Sequence, residues 1–170
     1  MTDPFLSDFF GAWSPTVGVN APLYDQSWGG DEVKGYSIHG CVENWLAGGG
    51  LAENINIGLP FYGRGYLHAT GLNETHGGKP DKNLWGLDEG SPQYFNIVKK
   101  LPDLVSIRHE ETMTQYAYNP EIRGGVAVGG IVSYDDEQAI CDKTEYAMKH
   151  NLHGFIIWEV SGKFREMHDS

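Results

Sequence analysis

Five side chains stand where a parallel α/β chain places its chemistry. Asp8 lies within the short stretch "FLSDFF" and Trp13 follows it, Tyr62 and Arg64 sit just past "NINIGLPF", and Trp158 ends "GFIIW". Each lies near the carboxyl end of a segment that reads as a core strand. In parallel α/β folds the working groups gather at those ends, because the loops there vary while the sheet holds them. Indole and phenol rings stack on the apolar C–H face of a pyranose, and carboxylate and guanidinium groups read its hydroxyls, so the set fits a carbohydrate cleft. A plainer account competes at every position. A tryptophan ending a strand also fills cores, Tyr62 also donates to a backbone carbonyl, Arg64 also pins a neighbouring lobe, and Asp8 also caps a turn.

Strands and helices must position these groups. Near-continuous apolar runs at about 54–61 ("NINIGLPF"), 128–133 ("VGGIVS") and 154–158 ("GFIIW") are expected of parallel strands covered on both faces. "FLSDFF" is a weaker fourth candidate. Between Val33 and Gly48 the apolar residues recur at loosely helical spacing, and "GGG" then stops the helix. From Asp135 to His150 the chain opens with an acidic cap, carries Ala139, Ile140, Lys143, Tyr146 and Ala147 on a helical period, and closes with basic residues. Helix followed by apolar strand, twice, predicts a βα-type parallel architecture.

Residues 65–129 break that rhythm. A polar, glycine-rich loop leads to a short helix, "SPQYFNIVKKL", and then to "LVSIRHEETMTQYAYN", which alternates like an antiparallel hairpin. The expected organisation is an inserted α+β lobe at 65–129 in a parallel α/β domain made of 1–64 and 130–170. What lies outside the lobe amounts to about three βα units at roughly 30 residues each, too few to close a barrel.

Composition excludes several functions. At 170 residues, 40% hydrophobic and 21% charged, the chain is expected to fold as one domain carrying a lobe. Its 12 basic residues against 23 acidic ones give a net charge of -11 with no basic cluster, so nucleic acid is repelled. No apolar run approaches the roughly 18 residues of a membrane span, and the opening "MTDPFLSDFF" lacks the basic head and apolar core of a signal peptide. Neither nucleic acid nor membrane is an expected partner. Cys41 and Cys141 lie far apart outside any C-x-x-C pair, so a zinc site is not indicated and a bridge between them is the lesser expectation. No cofactor and no metal is expected. The acidic run "YDDEQ" at 134–138 sits at a helix start, where capping and the helix dipole account for it.

Three linked stretches, "DFFGAWSPTVGVNAPLY", "NINIGLPFYGRGY" and "GGIVSYDDEQAICDKTEYAMKHNLHGFIIWEVSG", closely resemble the carboxyl-terminal part of glycoside hydrolase family 18 chitinases. The resemblance runs over about residues 8–162. It implies a partial (β/α) eight-stranded TIM barrel matching the sixth, seventh and eighth strands, with a chitinase insertion domain after the seventh. It also implies roles. Trp158 resembles the tryptophan on the cleft floor beneath the sugar whose bond is broken. Tyr62 and Arg64 resemble the pair on the seventh strand that faces the sugar hydroxyls and braces the insertion. Asp8 resembles the aspartate of the Met-x-Tyr-Asp motif, and Trp13 the aromatic on the leaving-group side. The implied ligand is chitin or a chito-oligosaccharide, and full-length members of the family are commonly secreted.

The resemblance is incomplete in its chemistry. The family uses substrate-assisted catalysis, in which a glutamic acid protonates the glycosidic oxygen while the substrate's acetamido group attacks the anomeric carbon. That acid ends an Asp-x-x-Asp-x-Asp-x-Glu run, and none occurs in this sequence. Where the family has a tyrosine before the aspartate this chain has Ser7, or the inserted "DPFLS" if Met1 and Thr2 are aligned with the family's Met-Thr; in either alignment the phenol is missing. The expectation is a fragment of a chitinase-type hydrolase, inactive alone, with a catalytically dead chitinase-like lectin as the alternative. Self-association through exposed barrel edges is also expected.

Overall fold

The computed structural model describes residues 8–80, 90–124, 126–127 and 129–160. In chain order its elements are α1 (Ile38–Ala47), β1 (Asn56–Pro60), β2 (Arg64–Leu67), α2 (Tyr94–Lys100), β3 (Val105–His109), β4 (Thr114–Tyr118), β5 (Ile122–Arg123), β6 (Val126–Ala127), β7 (Gly130–Tyr134), α3 (Glu137–Lys149) and β8 (Gly154–Trp158). Short 3₁₀ turns at Gly30–Val33, Ala52–Asn54 and Leu101–Asp103 fill the connections.

β1 and β8 pair in parallel over their full lengths, Asn56 against Gly154 through Pro60 against Trp158. Each is preceded by a helix. α1 begins where the Ser37 side chain accepts from the Gly40 N–H at 3.0 Å, and Gly48 ends it. It starts later than Val33 because Gly35 adopts φ 81°, a left-handed backbone that a helix does not continue through. α3 begins at Asp136, whose carboxylate accepts from the Ala139 N–H at 2.8 Å. Ile38 and Val42 of α1 and Tyr146 and Ala147 of α3 pack against Ile55, Ile57 and Leu59 in one core.

The remaining large sheet is antiparallel, in the order β2, β7, β4, β3. The predicted hairpin at 104–119 is β3 and β4, and the predicted short helix is α2. "VGGIVS" is the correction. It forms β7, which is antiparallel to both β2 and β4 and is no part of the parallel pair. Its apolar run comes from burial on both faces, as expected of a parallel strand, but different layers supply the cover. Val132 and Tyr134 pack under Ile97 of α2, while Ile131 faces Val17, Tyr66 and Ala69. The antiparallel sheet therefore takes in Arg64 and residues 130–134, beyond the 65–129 expected for the lobe. Among the described residues two parallel strands are present where three were expected, and no barrel closes. The first half of the "FLSDFF" candidate, 5–7, falls outside the described residues; its last three, 8–10, are not in a strand.

Gly63 makes the crossing from β1 to the antiparallel sheet. A Cβ there would lie 2.7 Å from a Val132 methyl and 2.8 Å from the Ser133 carbonyl, so only glycine lets the two segments meet. Arg108 of β3 ties the hairpin to α3 through Asp142, with Asp136 at 3.7 Å. Cys41 and Cys141 are free thiols. Among the described residues no helix is long and apolar enough to cross a membrane.

Both cores carry buried phenols. Tyr134 and Tyr146 are almost wholly covered, and burial pushes each phenol up to about 12. In the unfolded chain a tyrosine ionises near pH 10. A group whose folded pKa is raised contributes stability that is complete below the unfolded pKa and is lost as pH climbs through the folded one. Urea midpoints are therefore expected to fall between about pH 10 and about pH 12. Tyrosinate absorbance should rise in step with unfolding, and a midpoint that stays flat through that window would contradict the assignment.

Candidate functional site

The site is assembled by two chain segments meeting the ends of β1 and β8. Residues 8–18 run along the face of β2 that carries Arg64 and Tyr66. At one end Tyr66 donates to the Gly18 carbonyl at 3.1 Å and accepts from the Gly18 N–H at 3.3 Å. Burial holds the Tyr66 phenol far above its ordinary range, so it stays a neutral donor. At the other end Asp8, at φ 71°, turns its carboxylate onto Arg64. The guanidinium Nε and a terminal nitrogen each donate to one Asp8 oxygen at 2.5 Å, a fork-on-fork pair.

Two aromatic rings hold Arg64 as well. Its central carbon lies 5.0 Å from the Trp13 ring and 5.1 Å from the Tyr62 ring, a cation–π contact on each. Tyr62 is 7% exposed, and its carbonyl accepts from the Asn20 side-chain amide at 3.3 Å. Trp158 behaves differently. It closes β8 beside Pro60, its carbonyl accepts from the Phe61 N–H at 2.8 Å, and the residue is left 59% exposed. The peptide that follows it is cis.

Asp8, Tyr62, Arg64 and Trp158 line one groove of about 500 Å³ together with Ser91 and Ile156. Four of the five residues expected at the site are thus on one concave surface. Trp13 stands beside it, one face on Arg64 and 63% of its surface exposed. Sequence reading missed Ser91 and Ile156. Ile156 was recoverable, since it is two residues before Trp158 on the same strand face. Ser91 was not, because it reaches the groove from the inserted segment. Chemically the groove offers an exposed indole floor, an apolar wall at Ile156, a fixed ion pair and a neutral hydroxyl, and among the described residues that line it the one carboxyl, on Asp8, is held by Arg64.

The family model for glycosyl hydrolases family 18 matches residues 5–162. The chain belongs to that family. A probable endochitinase of Caenorhabditis elegans is 30% identical over 156 residues, which is 90% of this chain and 24% of the nematode protein. A class V chitinase from Nicotiana tobaccum, solved as a mutant in complex with NAG4, superposes with a TM-score of 0.77 at 25% identity, covering 92% of this chain and 43% of that one. An immunomodulatory active chitinase from Trichuris suis gives a TM-score of 0.78 at 26% identity, covering 90% of this chain and 41% of that one. The family 18 chain described here thus spans a quarter to less than half of these relatives, and its fold is that part of a TIM-barrel-like chitinase.

Proposed function

We propose that this chain is the sugar-holding portion of a chitinase-type glycoside hydrolase acting on β-1,4-linked N-acetylglucosamine polymers. The observation that carries the proposal is the meeting of Asp8, Tyr62, Arg64 and Trp158 in one groove. It is supported by a solved relative that holds NAG4. On this reading the exposed Trp158 indole carries the apolar face of a pyranose, and the Asp8–Arg64 pair and Tyr62 line the polar side. Residues 1–64 and 130–170 form the partial barrel and 65–129 the insertion, whose sheet extends to Arg64 and Tyr134.

The chain alone holds sugar without cleaving it. Its sequence lacks the Asp-x-x-Asp-x-Asp-x-Glu run, and a general acid is typically worth about 100- to 10,000-fold in rate. Purified chain is expected to release no fluorophore from a fluorogenic chitobioside. Mixing it with a polypeptide that carries the acid run should restore turnover. Release proportional to this chain alone, and abolished by Trp158→Ala, would sink the proposal. A second reading, a chitinase-like lectin, draws on the exposed Trp158 lining the groove. It predicts saturable quenching of tryptophan fluorescence by chitotetraose together with no rescue of turnover by the added polypeptide.

A further inference from the structure

We propose that Ser91 is a sugar-reading residue of the groove, using its hydroxyl to exchange a hydrogen bond with a ligand hydroxyl or acetamido oxygen; this rests on the groove binding an amino sugar. Residues 90–94 run antiparallel beside 61–65. Gly65 donates to the Gly90 carbonyl at 2.9 Å, Gly63 to the Pro92 carbonyl at 2.8 Å, and Tyr94 to the Phe61 carbonyl at 2.9 Å. Tyr62 and Gln93 form a bridge in the same ladder. Ser91 is therefore bracketed by main-chain bonds on both sides, and its placement owes nothing to its own side chain.

That ladder puts Ser91 on the cavity wall with Asp8, Tyr62, Arg64, Ile156 and Trp158. The charged groups of the wall spend their strongest bonds on one another, Arg64 on both oxygens of Asp8. The Ser91 hydroxyl is not committed in that way, and α2 leaves it no capping role, since Gln93 occupies the cap position. A hydroxyl both donates and accepts. It thus matches a neutral ligand group whose own bond polarity alternates from one ring position to the next. An ammonium or carboxylate at this place would fix one direction only. The inserted segment in this way adds a discriminating contact to a cleft otherwise built from the ends of β1 and β8.

Chitotetraose binding to the full chain, followed by tryptophan fluorescence, tests the inference. Ser91→Ala is expected to weaken binding by roughly three- to tenfold, the worth of one neutral hydrogen bond. Ser91→Thr, which keeps the hydroxyl, is expected to restore it, and melting temperature should be the same in all three proteins. Unchanged affinity in Ser91→Ala while Trp158→Ala binds poorly would overturn the role of Ser91 and leave the groove intact. A loss in Ser91→Ala that Ser91→Thr does not recover would make the residue structural and overturn the inference too. If the unmodified chain binds no chitotetraose, the groove reading itself fails and this inference goes with it.

Discussion

Trp158→Ala is expected to lower affinity for chitotetraose by at least about thirtyfold, the loss that follows when a central aromatic anchor is truncated. Trp158 ends β8 as a residue 59% exposed, so its indole contributes stacking area to a ligand and little to the core. Removing it leaves no cavity. Stability should therefore stay within roughly 0.5 kcal/mol of the unmodified chain, as for other exposed substitutions. The pairing of a large binding loss with an unchanged melt separates a sugar platform from a core residue, the two readings that the sequence alone left open. Isothermal titration and thermal denaturation on the same samples decide it. Affinity preserved in the variant would remove Trp158 from the site.

Lys143→Met should be the most destabilising single change, at about 3–5 kcal/mol near neutral pH. Lys143 and Asp135 pair with side chains 0% and 1% exposed. Burial pushes the Asp135 carboxyl up and the Lys143 ammonium down from their ordinary ranges, each opposed by the partner's charge. Removing the ammonium leaves the carboxyl buried with its main counter-charge gone, and its folded pKa rises further. A raised folded pKa means stability that is present below the unfolded value near 4 and lost as pH climbs. The variant should thus be most stable in mild acid and weaken toward neutrality. Adding Asp135→Leu should recover most of the loss, because well-packed apolar groups replace a buried pair with little net cost. Urea melts across that pH range measure both effects. A single variant as stable at neutral pH as in acid would contradict the buried-charge account.

The sequence was most legible where one physical cause acts alone. Helical spacing and caps located α1 and α3, the alternation of "LVSIRHEETMTQYAYN" located β3 and β4, and the apolar runs of β1 and β8 gave their parallel pairing. β7 was misread because a run of buried residues reports double burial and says nothing of strand direction. Whether a helix layer or a loop layer supplies the cover is decided by distant residues, here Ile97 on one side and Val17 on the other. The acidic run at 134–138 was half read. An acidic cap was expected where the 135–150 helix opens, and Asp136 supplies it, yet Asp135 is the buried partner of Lys143. The signal was present, a lysine on the apolar stripe of α3 eight residues after an aspartate. At the site, residues at strand ends were legible since position follows from the strand. Ser91 was hidden, its place being set by main-chain bonds between segments almost thirty residues apart, which leave no side-chain pattern.

Arg64 is gripped on its edge by Asp8 and lies over the rings of Trp13 and Tyr62. A free arginine gives up about 2 kcal/mol of rotamer freedom when it is immobilised. Here that ordering belongs to folding, so a ligand reaching the groove meets a guanidinium already stilled. Recognition on this side of the groove should accordingly resemble a key entering a cut lock, with tightness set by how slowly the occupant leaves.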